Sequence, residues 1–241
     1  MNIPNPWQNG PTNDDLWIPK ADQIRIDREN SKMLPDDGRR VYYTTPKGRP
    51  YIPAGWSGNP WKAPILLLLL NPAYSSSPDV VYDDPEAFEL AKNATLGNWC
   101  EDYPNPYLHP RLRQLDSWCA KVPYAGLHKH LMETGVDPEE AWKIASKKMA
   151  ILELSPWASY KWSPAAFVET TRTCVALAQQ AMDDSNRVVL LGRGLSDWKS
   201  AGLLDADTLP LSRGVRSNQS RVTKNNFPNV WDRIVSELKK A

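Results

Sequence analysis

Three groups of residues in this chain combine type and placing in a way that chemistry can use. The first is Asn71-Pro72-Ala73-Tyr74-Ser75-Ser76, which follows the unbroken apolar run Ile65 to Leu70. An amide is no strong base, so catalysis from Asn71 would rest on positioning and electrostatics rather than on proton removal. The second is Glu153 with Ser155, at the end of another apolar run, AILEL at 150–154. Ionised, Glu153 accepts hydrogen bonds only. The third is a pattern of charge. No acid occurs from 38 to 78, which holds Arg39, Arg40, Lys47, Arg49 and Lys62, or from 208 to 230, which holds Arg213, Arg216, Arg221 and Lys224. Brought together by the fold, the two stretches would make a positive face suited to a phosphate backbone.

The elements that must position these groups can be read from periodicity. Residues 65–70 lack the polar alternation of a half-buried strand, as expected of a parallel strand covered on both faces, and Asn71-Pro72 ends it. Ligands of open α/β sheets lie just beyond such carboxyl ends. Strands are likewise expected at 150–154 and at 187–192 (RVVLLG), with a short fourth at 209–211 and an edge strand at 39–45. Helices are predicted around 112–122, from Asp137-Pro138-Glu139-Glu140, from Ser163-Pro164 to about Met182, over 195–202 and over 228–240. Residues 1–37 read as an irregular arm and 78–149 as a largely helical insertion in a single domain. Strands alternating with helices predict a three-layer α/β/α sandwich with a central, mainly parallel sheet of about four strands.

Several chemistries lack a sequence basis. There is no phosphate-binding loop, and Gly192-Arg193-Gly194 lacks the third glycine of a dinucleotide fingerprint, so no nucleotide cofactor is expected. His128 and His130 lack the spacing that places two ligands on one helical face, and no metal is expected. No serine-hydrolase elbow occurs. Cys100, Cys119 and Cys174, odd in number and without CxxC spacing, read as core residues of a cytoplasmic protein. Neither a leader nor a membrane span is evident. A net charge of +1 says nothing about partners by itself.

The pair of loops resembles a known pattern. LLNPAYSS at 69–76 resembles the first motif, GINPGLSS, of the mismatch-specific branch of the uracil-DNA glycosylase-like superfamily, and SNQSRV at 217–222 resembles its second motif, NPSGLSRV. ELSPW at 153–157 lies on the strand that reads the base in that superfamily, and VVLLG at 188–192 matches another core strand. The resemblance spans roughly residues 50–241. It implies a monofunctional DNA glycosylase, a monomer acting on double-stranded DNA without a cofactor, that flips a base out and hydrolyses its N-glycosidic bond to leave an abasic site. Asn71 would position the water. Pro72, Ala73, Tyr74, Tyr82, Glu153 and Ser155 would form the base pocket. Ser75, Ser76, Arg213, Arg216, Ser217, Asn218, Gln219, Ser220, Arg221 and Lys224 would hold DNA, with Gln219 at the place of the wedge that fills the vacated stack.

The departures from the pattern bear on the substrate. Leu69 replaces a glycine, Val215-Arg216 replaces the Asn-Pro or His-Pro that helps stabilise the leaving base, and Glu153 replaces an asparagine that bonds uracil. Ala73 stands where the uracil-specific branch has a tyrosine closing the pocket at C5. Space at C5, and a carboxylate that suits the N4 donor of cytosine, point to a C5-substituted cytosine, hydroxymethylated or glucosylated. Such bases occur in certain bacteriophage genomes, which extends the reading to antiviral defence. Repair of uracil or thymine mismatches, and a catalytically silent DNA-binding member of the fold, are the alternatives. For the two residues themselves, the alternatives are that Glu153 points outward and pairs with Lys147 or Lys148, and that Ala73 merely copies the glycine of the mismatch branch.

Overall fold

The computed structural model describes residues 3–11, 16–72, 77–116, 118–163, 165, 167–214 and 219–240. In chain order its elements are α1 (Lys20–Asn30), β1 (Trp56–Ser57), β2 (Ile65–Leu69), α2 (Ser77–Tyr82), α3 (Pro85–Leu96), α4 (Pro110–Leu115), α5 (Trp118–Lys121) and α6 (Ala125–Glu133). Then follow α7 (Pro138–Lys148), β3 (Met149–Glu153), α8 (Glu169–Asp183), β4 (Val188–Leu191), α9 (Leu195–Ser200) and α10 (Trp231–Lys239). The fold is mixed α/β around an open four-stranded sheet in the order β1-β3-β2-β4.

The uninterrupted leucines of β2 are explained by its neighbours. It pairs in parallel with β3 on one side and β4 on the other, and every residue of these three strands is buried. Strand geometry sends alternate side chains to opposite faces. Ile65, Leu67 and Leu69 pack with Met149, Ile151, Leu190 and apolar residues of α5, α6, α7 and α10. Leu66, Leu68 and Leu70 pack with Leu152, Leu154, Leu191 and residues of α8 and α9. A polar side chain in the middle of β2 would lie in one apolar cluster or the other, which is why the run is leucine without relief.

Helix ends follow their sequence signals where the signal is local. Asp137 caps α7, its carboxylate accepting from the N–H of Glu139 at 2.9 Å and of Glu140 at 3.3 Å. Pro138 follows it, with acids in the first turn and Lys147 and Lys148 in the last, complementing the helix dipole. The start expected at Ser163-Pro164 is corrected to Glu169, Pro164 itself lying outside the described residues. The cap comes from far away in sequence: buried Asp22 of α1 accepts from Glu169 N–H at 2.9 Å and from the Thr170 hydroxyl at 2.7 Å.

Other expectations change in a similar way. The arm at 1–37 contains α1, and Trp7, Trp17, Ile18 and Ile26 bury it against the body. The edge strand expected at 39–45 makes only single bridges, Tyr42 to Ala158 and Thr44 to Pro50. Side chains hold this stretch instead: the Asn30 amide donates to Val41 C=O at 2.8 Å and accepts from its N–H at 3.0 Å. The edge of the sheet is β1, antiparallel to β3. The strand at 209–211 reduces to one parallel bridge, Leu191 to Leu211, since Pro210 has no N–H with which to extend a ladder. Cys119 and Cys174 are core residues, whereas Cys100 is exposed. Among the described residues no helix is long and apolar enough to cross a membrane.

Candidate functional site

Because β2, β3 and β4 are parallel, their carboxyl ends share one edge, and backbone hydrogen bonds carry the alignment past the strands. Leu154 N–H donates to Leu69 C=O at 3.1 Å, Ser155 N–H to Leu70 C=O at 2.9 Å and Gly192 N–H to Leu68 C=O at 3.0 Å. This places Asn71, Glu153, Ser155 and the Gly192-Arg193-Gly194 turn together. The indole N–H of buried Trp198 donates to Leu69 C=O at 3.0 Å and ties α9 to the same edge.

Asn71 is 7% exposed and its amide is held on one side. Nδ2 donates to Ser159 Oγ at 2.9 Å and to Pro72 C=O at 3.0 Å, while the Ser159 hydroxyl donates to Lys161 C=O at 2.6 Å. With both amide protons engaged, Oδ1 is the atom left to accept from a water, and no described residue donates to it. Ser159, which holds the Asn71 amide, is not among the residues expected at this site. Nothing local marks it: it becomes relevant only because the segment after β3 folds back, with Ser159 N–H reaching Pro72 C=O at 3.4 Å.

Glu153 is 6% exposed, in register with Leu69 across the sheet, and its Oε2 is buried with no hydrogen-bond partner. Burial raises its pKa from 4.5 to about 7, with the positive charge of Arg193 acting in the opposite direction. The outward-pointing alternative fails, for Glu153 is interior and Lys147 instead bonds Asp102 at 3.0 Å. Leu69 is also accommodated. It is fully buried, and its Cδ2 lies 2.7 Å from where a Cβ on Gly192 would stand. The bulk gained at position 69 is thus offset by the missing side chain at 192.

The second loop closes on this edge through glycines. A Cβ at Gly192 would come within 3.2 Å of Gln219 C=O, and one at Gly126, in α6, would lie 2.2 Å from Val222 C=O. Residues 219–222 are therefore seated between the end of β4 and α6. Ser220 and Val222 are buried, whereas Arg213, Arg221 and Lys224 are exposed and form no salt bridge among the described residues. The first basic stretch behaves differently. Arg39 pairs with Asp37, and Lys47 and Arg49 share Asp83, so acids from outside the stretch engage these cations and offset part of its charge.

Other expected site residues have local duties. The Tyr82 hydroxyl donates to Pro50 C=O at 2.5 Å and accepts from Ile52 N–H at 2.6 Å, fastening the loop before β2. Ser155 Oγ accepts from Trp157 N–H at 3.3 Å and shapes the turn after β3. His109 caps α4, His128 stacks on Trp142 and His130 meets the edge of Trp231. Ala73, Tyr74, Ser75, Ser76, Arg216, Ser217 and Asn218 lie outside the described residues. A surface groove of about 470 Å³ lined by Asn5, Gln8, Trp61 and Trp99 includes none of the strand-end residues. Set against protein-family models, curated proteins and solved structures, the chain matches none of them.

Proposed function

We propose that this chain is a monofunctional DNA glycosylase of the uracil-DNA glycosylase-like superfamily, built as a three-layer α/β/α domain and acting on a C5-substituted cytosine flipped out of double-stranded DNA. The observation that carries the reading is the meeting, at one carboxyl edge, of a clamped amide, a buried carboxyl with an unpartnered oxygen, and a loop with exposed cations that form no salt bridge among the described residues. Each supplies one need of glycosidic hydrolysis.

Exposed Arg213, Arg221 and Lys224, with Arg216, neutralise phosphates and hold the strand. Gln219, whose C=O lies beside Gly192, is the residue proposed to enter the minor groove and fill the space a flipped base leaves. Extrusion costs a few kcal/mol of lost stacking, which backbone contacts must offset. Glu153, as a carboxylate, accepts from cytosine N4 and so recovers the partner that Oε2 lacks. The C1′–N bond then breaks with its electron pair on the base. A water held by Asn71 Oδ1 bonds to C1′ of the oxocarbenium-like sugar, and the water's proton ends on the departing base.

The test is incubation with duplexes that differ only in uracil, thymine opposite guanine, cytosine, hydroxymethylcytosine or its glucosylated form, followed by alkali to reveal abasic sites. Cleavage of the substituted cytosines is expected. Preference for uracil or thymine would move the reading to mismatch repair, and DNA binding without any abasic product would leave a silent DNA-binding protein.

A further inference from the structure

Glycosidic cleavage leaves negative charge on the base, and the second loop, with Val215-Arg216 in place of the usual Asn-Pro or His-Pro, lacks the group expected to meet it. The sheet edge offers another. Arg193 stands two residues beyond the end of β4, between Gly192 and Gly194; at Gly194 φ is +81° and a Cβ would lie 2.1 Å from Leu70 Cδ2. Side chains are thus excluded on either side of Arg193, and the turn lies tight against the end of β2. Arg193 Nε is buried and has no hydrogen-bond partner. A guanidinium N–H left unpaired away from water is costly unless a ligand completes it.

Its placement relative to Glu153 is informative. Glu153, Leu69 and Gly192 form one row across β3, β2 and the end of β4, since Leu69 is in register with Glu153 and Leu68 with Leu191. At ~4.8 Å per strand spacing, the ends of that row are roughly 10 Å apart. Glu153 Oε2 and Arg193 Nε are both unpartnered, so they do not bond each other. Arg193 is the residue after Gly192 at this edge, and its charge acts on the Glu153 carboxyl, so an acceptor and a donor of opposite charge, both unpartnered, stand at the strand ends.

We infer that Arg193 is the cation that stabilises the leaving base: while Glu153 receives the exocyclic amine on one side, the Arg193 guanidinium donates to the ring oxygen and nitrogen on which the charge of the departing base collects. The inference rests on the glycosylase reading of this same site. In the step, the electron pair of the broken C1′–N bond passes to the base, Arg193 holds the resulting anion by charge-assisted hydrogen bonds, and the base takes up the proton released by the attacking water. Arg193 neither gives nor receives a proton in this step.

Single-turnover excision separates this role from a structural or phosphate-binding one. Wild type, Arg193→Gln and Arg193→Lys are compared on hydroxymethylcytosine and on formylcytosine, whose electron-withdrawing group makes it the better leaving base. Arg193→Gln should slow release of hydroxymethylcytosine by about 100-fold or more, as loss of one donor to a developing anion does elsewhere. The slowing should be clearly smaller for formylcytosine, Arg193→Lys should retain part of the rate, and DNA affinity should be unchanged. Equal slowing on both bases, no slowing, or weakened DNA binding with an unchanged single-turnover rate would each overturn the role of Arg193 while leaving the glycosylase reading in place. Failure of the wild type to release any base would overturn both.

Discussion

Replacing Glu153 by glutamine should change how stability depends on pH, and the magnitude follows from its surroundings. The side chain is interior and Oε2 is unpartnered, so ionisation in the folded state is opposed and the pKa stands at about 7 instead of 4.5. Between those values the unfolded chain has released the proton and the native state still holds it. The native state then binds more protons, and stability falls as pH rises, the loss becoming complete above about 7. At about 1.36 kcal/mol per pH unit this amounts to roughly 3 kcal/mol. Glu153→Gln keeps the shape, cannot ionise and should lack the effect. Equilibrium urea unfolding of both proteins at about pH 4.5 and about pH 8.5 measures it. The stability of the variant relative to wild type should improve by roughly 3 kcal/mol between the two conditions. Adding Arg193→Gln to the wild type should enlarge the fall, because the charge of Arg193 favours the carboxylate. A stability difference between wild type and Glu153→Gln that stays constant with pH, within about 1 kcal/mol, would refute the assignment of a buried, uncompensated carboxyl.

Further outcomes follow from the same geometry. Excision of a substituted cytosine should rise with pH through about 7 as Glu153 becomes an acceptor, and the rise should vanish in Glu153→Gln; a flat wild-type profile would contradict it. Ser159→Ala frees the Asn71 amide that it clamps at 2.9 Å, and should cost about 1 kcal/mol of stability in urea unfolding together with roughly ten-fold in single-turnover rate. Gly126→Ala, which in an exposed helix would stabilise by about 0.5–1 kcal/mol, should instead destabilise by about 1–3 kcal/mol, because its Cβ meets Val222 C=O at 2.2 Å. Gln at all four of Arg213, Arg216, Arg221 and Lys224 should lower DNA affinity and reduce the slope of log affinity against log salt by about 3–4; an unchanged slope would place the DNA elsewhere.

The central strands are legible because their signal is local: six apolar residues without alternation have to be covered on both faces, and Pro72 has to end the run. The α7 start is legible for the same reason, with cap, proline and acids inside a few residues. What escapes the sequence is set by distant contacts. No local pattern announces that Asp22 will cap α8 from another helix, or that Asn30 will clamp Val41 and so deny it a ladder. Of the site, Asn71 and Glu153 can be singled out because they end buried strands. The burial of Glu153 is not readable, since a glutamate at a strand end is as compatible with an outward rotamer. Ser159 and Arg193 carry no motif: one is brought to Asn71 by a fold-back to Pro72, the other stands one residue beyond a register that runs across three strands. Charge is legible only as composition. The first basic stretch loses part of its positive charge to Asp37, just before it, and to Asp83, which only the fold brings beside it.

The most direct test of the account is single-turnover incubation of wild type and Asn71→Ala with a duplex carrying one hydroxymethylcytosine, with alkali cleavage as the readout and DNA binding measured in parallel. Wild type should convert the labelled strand to abasic product, and Asn71→Ala should bind the duplex with similar affinity while losing at least about 100-fold in rate, as removal of the group that orients the attacking water requires. Equal rates for the two proteins would contradict the role of Asn71, and absence of abasic product from the wild type on this and every other modified duplex would contradict the glycosylase reading itself.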